Sequence, residues 1–182
     1  MLRRDMLLAM GGAAALPAAL PRIHIQVRGR PLHALGAHQA ETVATIAELI
    51  IPATNTPGAR EAQVPEFIDV ILAEWYEDAD KERFLAGLTD VDERSRSLTG
   101  KPFIEAGEAV QVAVLKGMEA EAIALREADK QAPTHFWHRI KSLTLYGYYN
   151  SEPGNLQELK RPVLPGRFDP CLELGAARPG AL

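Results

Sequence analysis

The chain has 182 residues, 47% of them apolar and 24% charged, a composition that supports a globular domain with a real core and argues against disorder. A formal net charge of −4, with no basic stripe interleaved with aromatics, excludes nucleic acid as an expected partner. The lone Cys171 can form no internal disulfide, so cysteine usage leaves the redox compartment open.

The N-terminal segment carries a pattern of its own. Met6–Leu20 is an uncharged, mostly apolar run behind Arg3 and Arg4. It is shorter than the roughly 20 residues a membrane-spanning helix needs. A short apolar run after a positive start has the build of an export signal, and the paired arginines point to the twin-arginine route, which carries folded proteins. Residues 1–20 are read as that signal, either removed or retained as an anchor, and residues 21–40 as a linker or arm. Within the arm, Ile23–Val27 alternates with period two, the mark of a single strand with no evident partner.

A helical domain is expected over residues 41–150. Val43, Ile46, Ala47 and Ile50 recur on one helical face until Pro52 stops the helix, and "PATNTPGARE" follows as a loop. Val64, Phe67, Ile68, Ile71, Leu72 and Trp75 then form an unbroken apolar stripe, with Pro65 in the first turn where its missing N–H costs nothing. A third helix is expected from about Asp80 to Leu98, burying Phe84, Leu85, Leu88 and Val91, and Gly100 and Pro102 end it. A fourth covers about Ala106–Ala128 with Val110, Val114 and Met118 inward. A fifth runs from Thr134 to about Tyr149 with Phe136, Ile140, Leu143 and Gly147 on one side. The pattern predicts an all-α fold, a small bundle of about five helices. Residues 151–182 hold five prolines among leucines and read as an extended Pro-rich arm docked on the bundle or on another protein.

The common enzyme signatures are missing: no phosphate loop, no G-x-G-x-x-G, no G-x-S-x-G, no C-x-x-C. His135 and His138 stand at i and i+3 and could share a metal, with a third ligand from Glu152, Asp169 or a distant carboxylate. They equally suit a helix start beside buried aromatics. Glu66, Asp69, Glu74, Glu77, Asp78 and Asp80 could be paired into acid–base carboxylates, but a helix start and a wet face account for them. "YGYYNSEPG", Tyr146–Gly154, has two readings of equal weight. Its tyrosines, with Gly147 allowing close approach, suit an interface, or they pack as a C-terminal cap on the bundle.

Two stretches together resemble a known family. "AELIIPATNTPGAREAQVPEFIDVIL", Ala47–Leu72, is similar to the signature of the gluconate 2-dehydrogenase subunit 3 family, a helix ending in an I-P loop with T-x-T-P-G-A and then a V-P-x-F-I-D helix. "FWHRIKSLTLYGYYNSEPG", Phe136–Gly154, resembles its second hallmark, an aromatic pair, L-T-L-x-G-Y and then S-E-x-G. The leading arginine pair also fits that family, although Leu2 and Met6 depart from the usual signal.

The resemblance implies a small, non-catalytic subunit without a cofactor of its own. Its partner would be a large FAD-containing dehydrogenase subunit of the glucose–methanol–choline type, acting on a sugar or sugar acid. A c-type cytochrome subunit with haem c would pass electrons onward. The small subunit would escort its partner through the twin-arginine machinery to the periplasm, held at the inner membrane through its complex. The expected partner-binding face is Tyr146, Tyr148, Tyr149, Ser151, Glu152 and Gly154, joined by Thr54, Pro57 and Arg60 of the Thr54–Arg60 loop and by the Pro-rich arm. The alternatives are a free-standing exported metal-binding protein using His135 and His138, and a membrane-anchored scaffold that keeps Met6–Leu20.

Overall fold

The computed structural model describes residues 32–161. The readings of Arg3, Arg4, Met6–Leu20, Ile23–Val27 and the arm beyond Arg161 lie outside the described residues.

Helix α1, Ala37–Ile50, begins within the stretch read as a linker. The Gly36 N–H donates to Gln39 Oε1 at 2.8 Å, which satisfies one of the donors left open at a helix start. Val43, Ile46 and Ala47 are fully buried, and Pro52 disfavours helical backbone at the residue before it.

Helix α2, Val64–Glu74, carries Pro65 in its first turn and buries Val64, Ile68 and Leu72. The expected stripe ends one residue early. Trp75 is not a core residue but is 76% exposed, because the helix closes at Glu74 and the chain turns directly into the next helix at Asp78. Asp69, read as a residue of a wet helix start, is buried instead. Its carboxylate accepts the backbone N–H groups of His33, Ala34 and Leu35 at 2.8–3.0 Å. It thus ties the approach to α1 onto α2.

Helix α3, Asp78–Thr99, ends on Gly100 at φ 76°, a left-handed cap that glycine adopts without strain. Phe84, Leu88 and Val91 are buried, and Leu85 packs half-buried against them. The next stretch holds a core residue the helical spacing did not include. A 3₁₀ turn, Phe103–Glu105, sinks Phe103 completely into the core. Two buried polar side chains hold it there: Asp92 accepts the Phe103 N–H at 2.9 Å, and Gln111 Nε2 donates to the Phe103 carbonyl at 2.9 Å.

Helix α4, Glu108–Ala128, turns Val114, Leu115 and Met118 inward, with Val110 at the core margin. Helix α5, Phe136–Asn150, packs against each of the other four helices and is the central member of the bundle. Phe136 meets Phe84 edge-on, with centroids 5.2 Å apart. Arg139 lies over the Tyr76 ring and Gly147 against Phe67, so α2 and α5 run antiparallel. No strand occurs among the described residues, and the fold is an all-α bundle. A π-helical turn, Pro153–Glu158, follows α5 where the sequence predicts extended chain. No described helix is long and apolar enough to cross a membrane.

Candidate functional site

The two stretches that carry the family resemblance meet at one end of the α2–α5 pair. The connection from α1 to α2 is laced to its surroundings by its own backbone. Glu48, on the last turn of α1, accepts the Ala53 N–H on one oxygen (3.0 Å) and the Arg60 N–H on the other (2.9 Å). The Ala59 N–H closes onto the Ile51 carbonyl at 3.0 Å. Gly58 lies so close to the Glu48 carboxylate and the Ala53 amide that a Cβ would have no room. From the other side, the Tyr148 hydroxyl donates to the Pro57 carbonyl at 2.8 Å, and Thr56 donates to Glu158 at 2.7 Å. The loop is therefore fastened to α1, α5 and the final turn together.

On α5 itself, Gly147 faces the Phe67 ring, which a Cβ would meet at 2.7 Å. The close approach it permits is that of an aromatic ring within the fold, not of a partner's backbone. Phe67 in turn packs beside Tyr146, centroids 5.9 Å apart. Tyr146 is 62% exposed, and Leu145 and Tyr149 accompany it on the outer side of the helix. Leu156, on the final turn, and Leu159, which caps it, are exposed as well. A helix side that shows two tyrosines and a leucine to solvent is the kind of surface that anchors contacts between proteins.

Not every expected contact residue faces outward. Tyr148 is 1% exposed; its ring belongs to the core, and its hydroxyl serves the Pro57 carbonyl. Gly154 is likewise buried under the end of α5. Ser151 acts on its own chain, donating to the Tyr148 carbonyl at 2.6 Å and accepting the Gly154 N–H at 3.2 Å. Arg60 pairs with Glu41 at 2.9 Å, on the outer side of α1. Tyr146, Tyr149, Glu152 and Thr54 remain on the surface. Helical spacing already held the signal for Tyr148, which stands four and eight residues beyond Thr144 and Ile140 on the inward side. Glu48 and Leu145 were absent from the expected face, whereas Leu156 and Leu159 belong to the arm that it included.

The histidines have local roles. His135 caps α5, its Nδ1 accepting the Trp137 N–H at 3.2 Å. Burial, foremost among its surroundings, holds the His135 imidazole below its usual pKa, so the neutral form that this cap requires is favoured. His138 leaves Nε2 buried without a hydrogen-bond partner among the described residues. Among the described residues, no cluster of three or more His, Cys, Asp or Glu could hold a metal ion. The metal-binding alternative thus lacks a third ligand there.

The family model described as gluconate 2-dehydrogenase subunit 3 matches residues 37–166. The chain belongs to the gluconate 2-dehydrogenase subunit 3 family. That family is named for an accessory subunit of a multi-subunit dehydrogenase, and the match takes in all five helices and the loop fastened by Glu48 and Tyr148. The chain matches no curated protein and no solved structure.

Proposed function

We propose that this subunit 3 protein is non-catalytic and binds, stabilises and escorts for export the FAD-containing large subunit of a gluconate-type sugar or sugar-acid dehydrogenase. The reading extends to a periplasmic complex at the inner membrane, with a c-type cytochrome as a possible third member. One observation carries most weight: both family stretches converge on a single surface where Leu145, Tyr146 and Tyr149 stand exposed beside a fastened loop. The binding chemistry is burial of aromatic and aliphatic surface, and it asks for no cofactor in this chain. Arg3 and Arg4 supply the export address in this reading.

Co-expression with a large FAD-containing dehydrogenase subunit from the same organism tests it. The two should co-purify, and Tyr146→Asp combined with Leu145→Asp should abolish co-purification while leaving the bundle folded. Arg3→Lys with Arg4→Lys should strand the flavoprotein in the cytoplasm. A flavoprotein that reaches the periplasm folded and active without this chain would end the proposal.

A further inference from the structure

We infer that a groove between α1, α4 and α5 receives one large apolar side chain of the partner subunit, flanked there by a carboxylate. This rests on the accessory-subunit reading above. The groove encloses about 230 Å³ and is walled by Leu49, Ile50, Val112, Leu115 and Trp137. That space suits a bulky side chain rather than a single water.

The polar groups at this groove set the chemistry of its occupant. Lys116, Glu119 and Lys141 line it as well. Lys141 donates to Glu119 at 2.8 Å and lies 5.5 Å from the Trp137 ring centroid, so this pair largely compensates itself. Lys116 forms no ion pair among the described residues, which leaves a surplus positive charge at the groove. The Trp137 indole adds a donor: its Nε1 is buried and has no hydrogen-bond partner among the described residues. It lies beside Glu119, whose carboxyl is held below its usual pKa chiefly by Lys141, and the indole makes no hydrogen bond of acceptable geometry to it. A buried donor without an acceptor is costly, and an incoming carbonyl or carboxylate would satisfy it. Apolar walls, an unpaired donor on a lining residue and an ammonium group without an ion pair among the described residues together describe an apolar side chain with an acidic neighbour.

The position agrees with that assignment. Lys141, Leu145 and Tyr149 stand four residues apart along α5, so the groove opens beside the exposed row of the contact face. An apolar anchor in a pocket next to an aromatic surface is the usual form of a binding hot spot.

The test uses the full chain and the same large flavoprotein. Val112→Phe fills the groove from a half-buried position, and Lys116→Glu reverses its free charge, with Lys116→Arg as the conservative control. Circular dichroism and melting temperature confirm that each variant folds. Affinity is measured at low and high salt. The indole N–H resonance of Trp137, isolated by Trp75→Phe, is followed on complex formation. V112F should weaken binding at least tenfold without lowering the melting temperature. K116E should weaken it several-fold at low salt and less at high salt, with K116R near the parent, and the Trp137 resonance should move. V112F binding within twofold of the parent, or an unmoved Trp137 resonance in the parent complex, overturns the groove assignment alone. A saturating shift with octanoate, together with unchanged V112F binding, gives the groove to a small amphiphile and overturns it too. A parent chain that does not bind the flavoprotein at all defeats the accessory reading itself.

Discussion

Replacing Asp69 with Asn should remove a large part of the bundle's stability while leaving its shape intact. Oδ2 accepts the His33 N–H at 2.8 Å, and Oδ1 accepts those of Ala34 and Leu35 at 3.0 and 2.9 Å. An asparagine oxygen can keep the pair at one position, but its NH2 then faces the His33 N–H, donor against donor. The alternative flip keeps one bond and loses two. A hydrogen bond to a charged group contributes about 1.5–3 kcal/mol, against about 1 for a neutral pair. The variant therefore loses one charge-assisted bond and weakens two others. His33 is exposed enough for water to replace part of its loss, which places the cost near 2–3 kcal/mol. For a domain of this size, that lowers the melting temperature by on the order of 10 °C. Urea unfolding should show a lower midpoint at an unchanged m-value, and amide exchange at residues 33–35 should quicken. A stability within about 0.5 kcal/mol of the parent, typical of a surface change, would refute the assignment of Asp69 as the anchor of this segment.

Three further outcomes can be checked on the isolated chain. Tyr148→Phe removes the bond to the Pro57 carbonyl but keeps the buried ring, and should cost about 1 kcal/mol in urea unfolding. Faster amide exchange should accompany it within the 52–60 loop, and unchanged exchange there would mean that Tyr148 does not fasten it. Thr144 is fully buried and its Oγ1 has no partner among the described residues, so Thr144→Val should stabilise the fold by on the order of 1 kcal/mol. A lower melting temperature would count against an unsatisfied hydroxyl. His135, held below its usual pKa by burial, favours folding when neutral. Its contribution is complete above the unfolded value of about 6.5 and declines as pH falls from there through the lower native value. His135→Asn keeps a capping side chain without the titration, and should flatten the loss of melting temperature between about pH 7 and 5. An unchanged slope would assign that acid sensitivity to another group.

Helices with a clean apolar period were legible in the sequence because burial of one face is a local property. Val64, Ile68 and Leu72 follow this rule, as do Phe84, Leu88 and Val91. Trp75 breaks it because periodicity does not say where a helix ends, and one extra residue carries the side chain past the core. Phe103 was hidden for a different reason. It belongs to a 3₁₀ turn too short to have a period, and what places it is a pair of buried polar side chains, Asp92 and Gln111. The same limit applies at the contact surface. The sequence indicated both stretches that build it, but not that Glu48 would fasten the loop of the first or that Tyr148 would join the two, since hydrogen bonds from a side chain to the backbone leave no pattern. Tyr148 could have been placed inward by continuing the Ile140–Thr144 spacing, whereas the exposed Leu145, Leu156 and Leu159 are split between a helix and a turn and share no single period.

The central position of α5 also governs the order in which the molecule can be built. Synthesis proceeds from the N-terminus at about 5–20 residues per second, so the helix that touches all the others is the last to leave the ribosome. Until Asn150 emerges, Ile46, Ile68, Phe84 and Met118 surround a core that lacks its middle. Pairings between α1 or α2 and α5 span most of the domain, and such distant contacts slow folding. The bundle should therefore close only once α5 has emerged, as a single late step, with every earlier nascent form exposing apolar surface to chaperones.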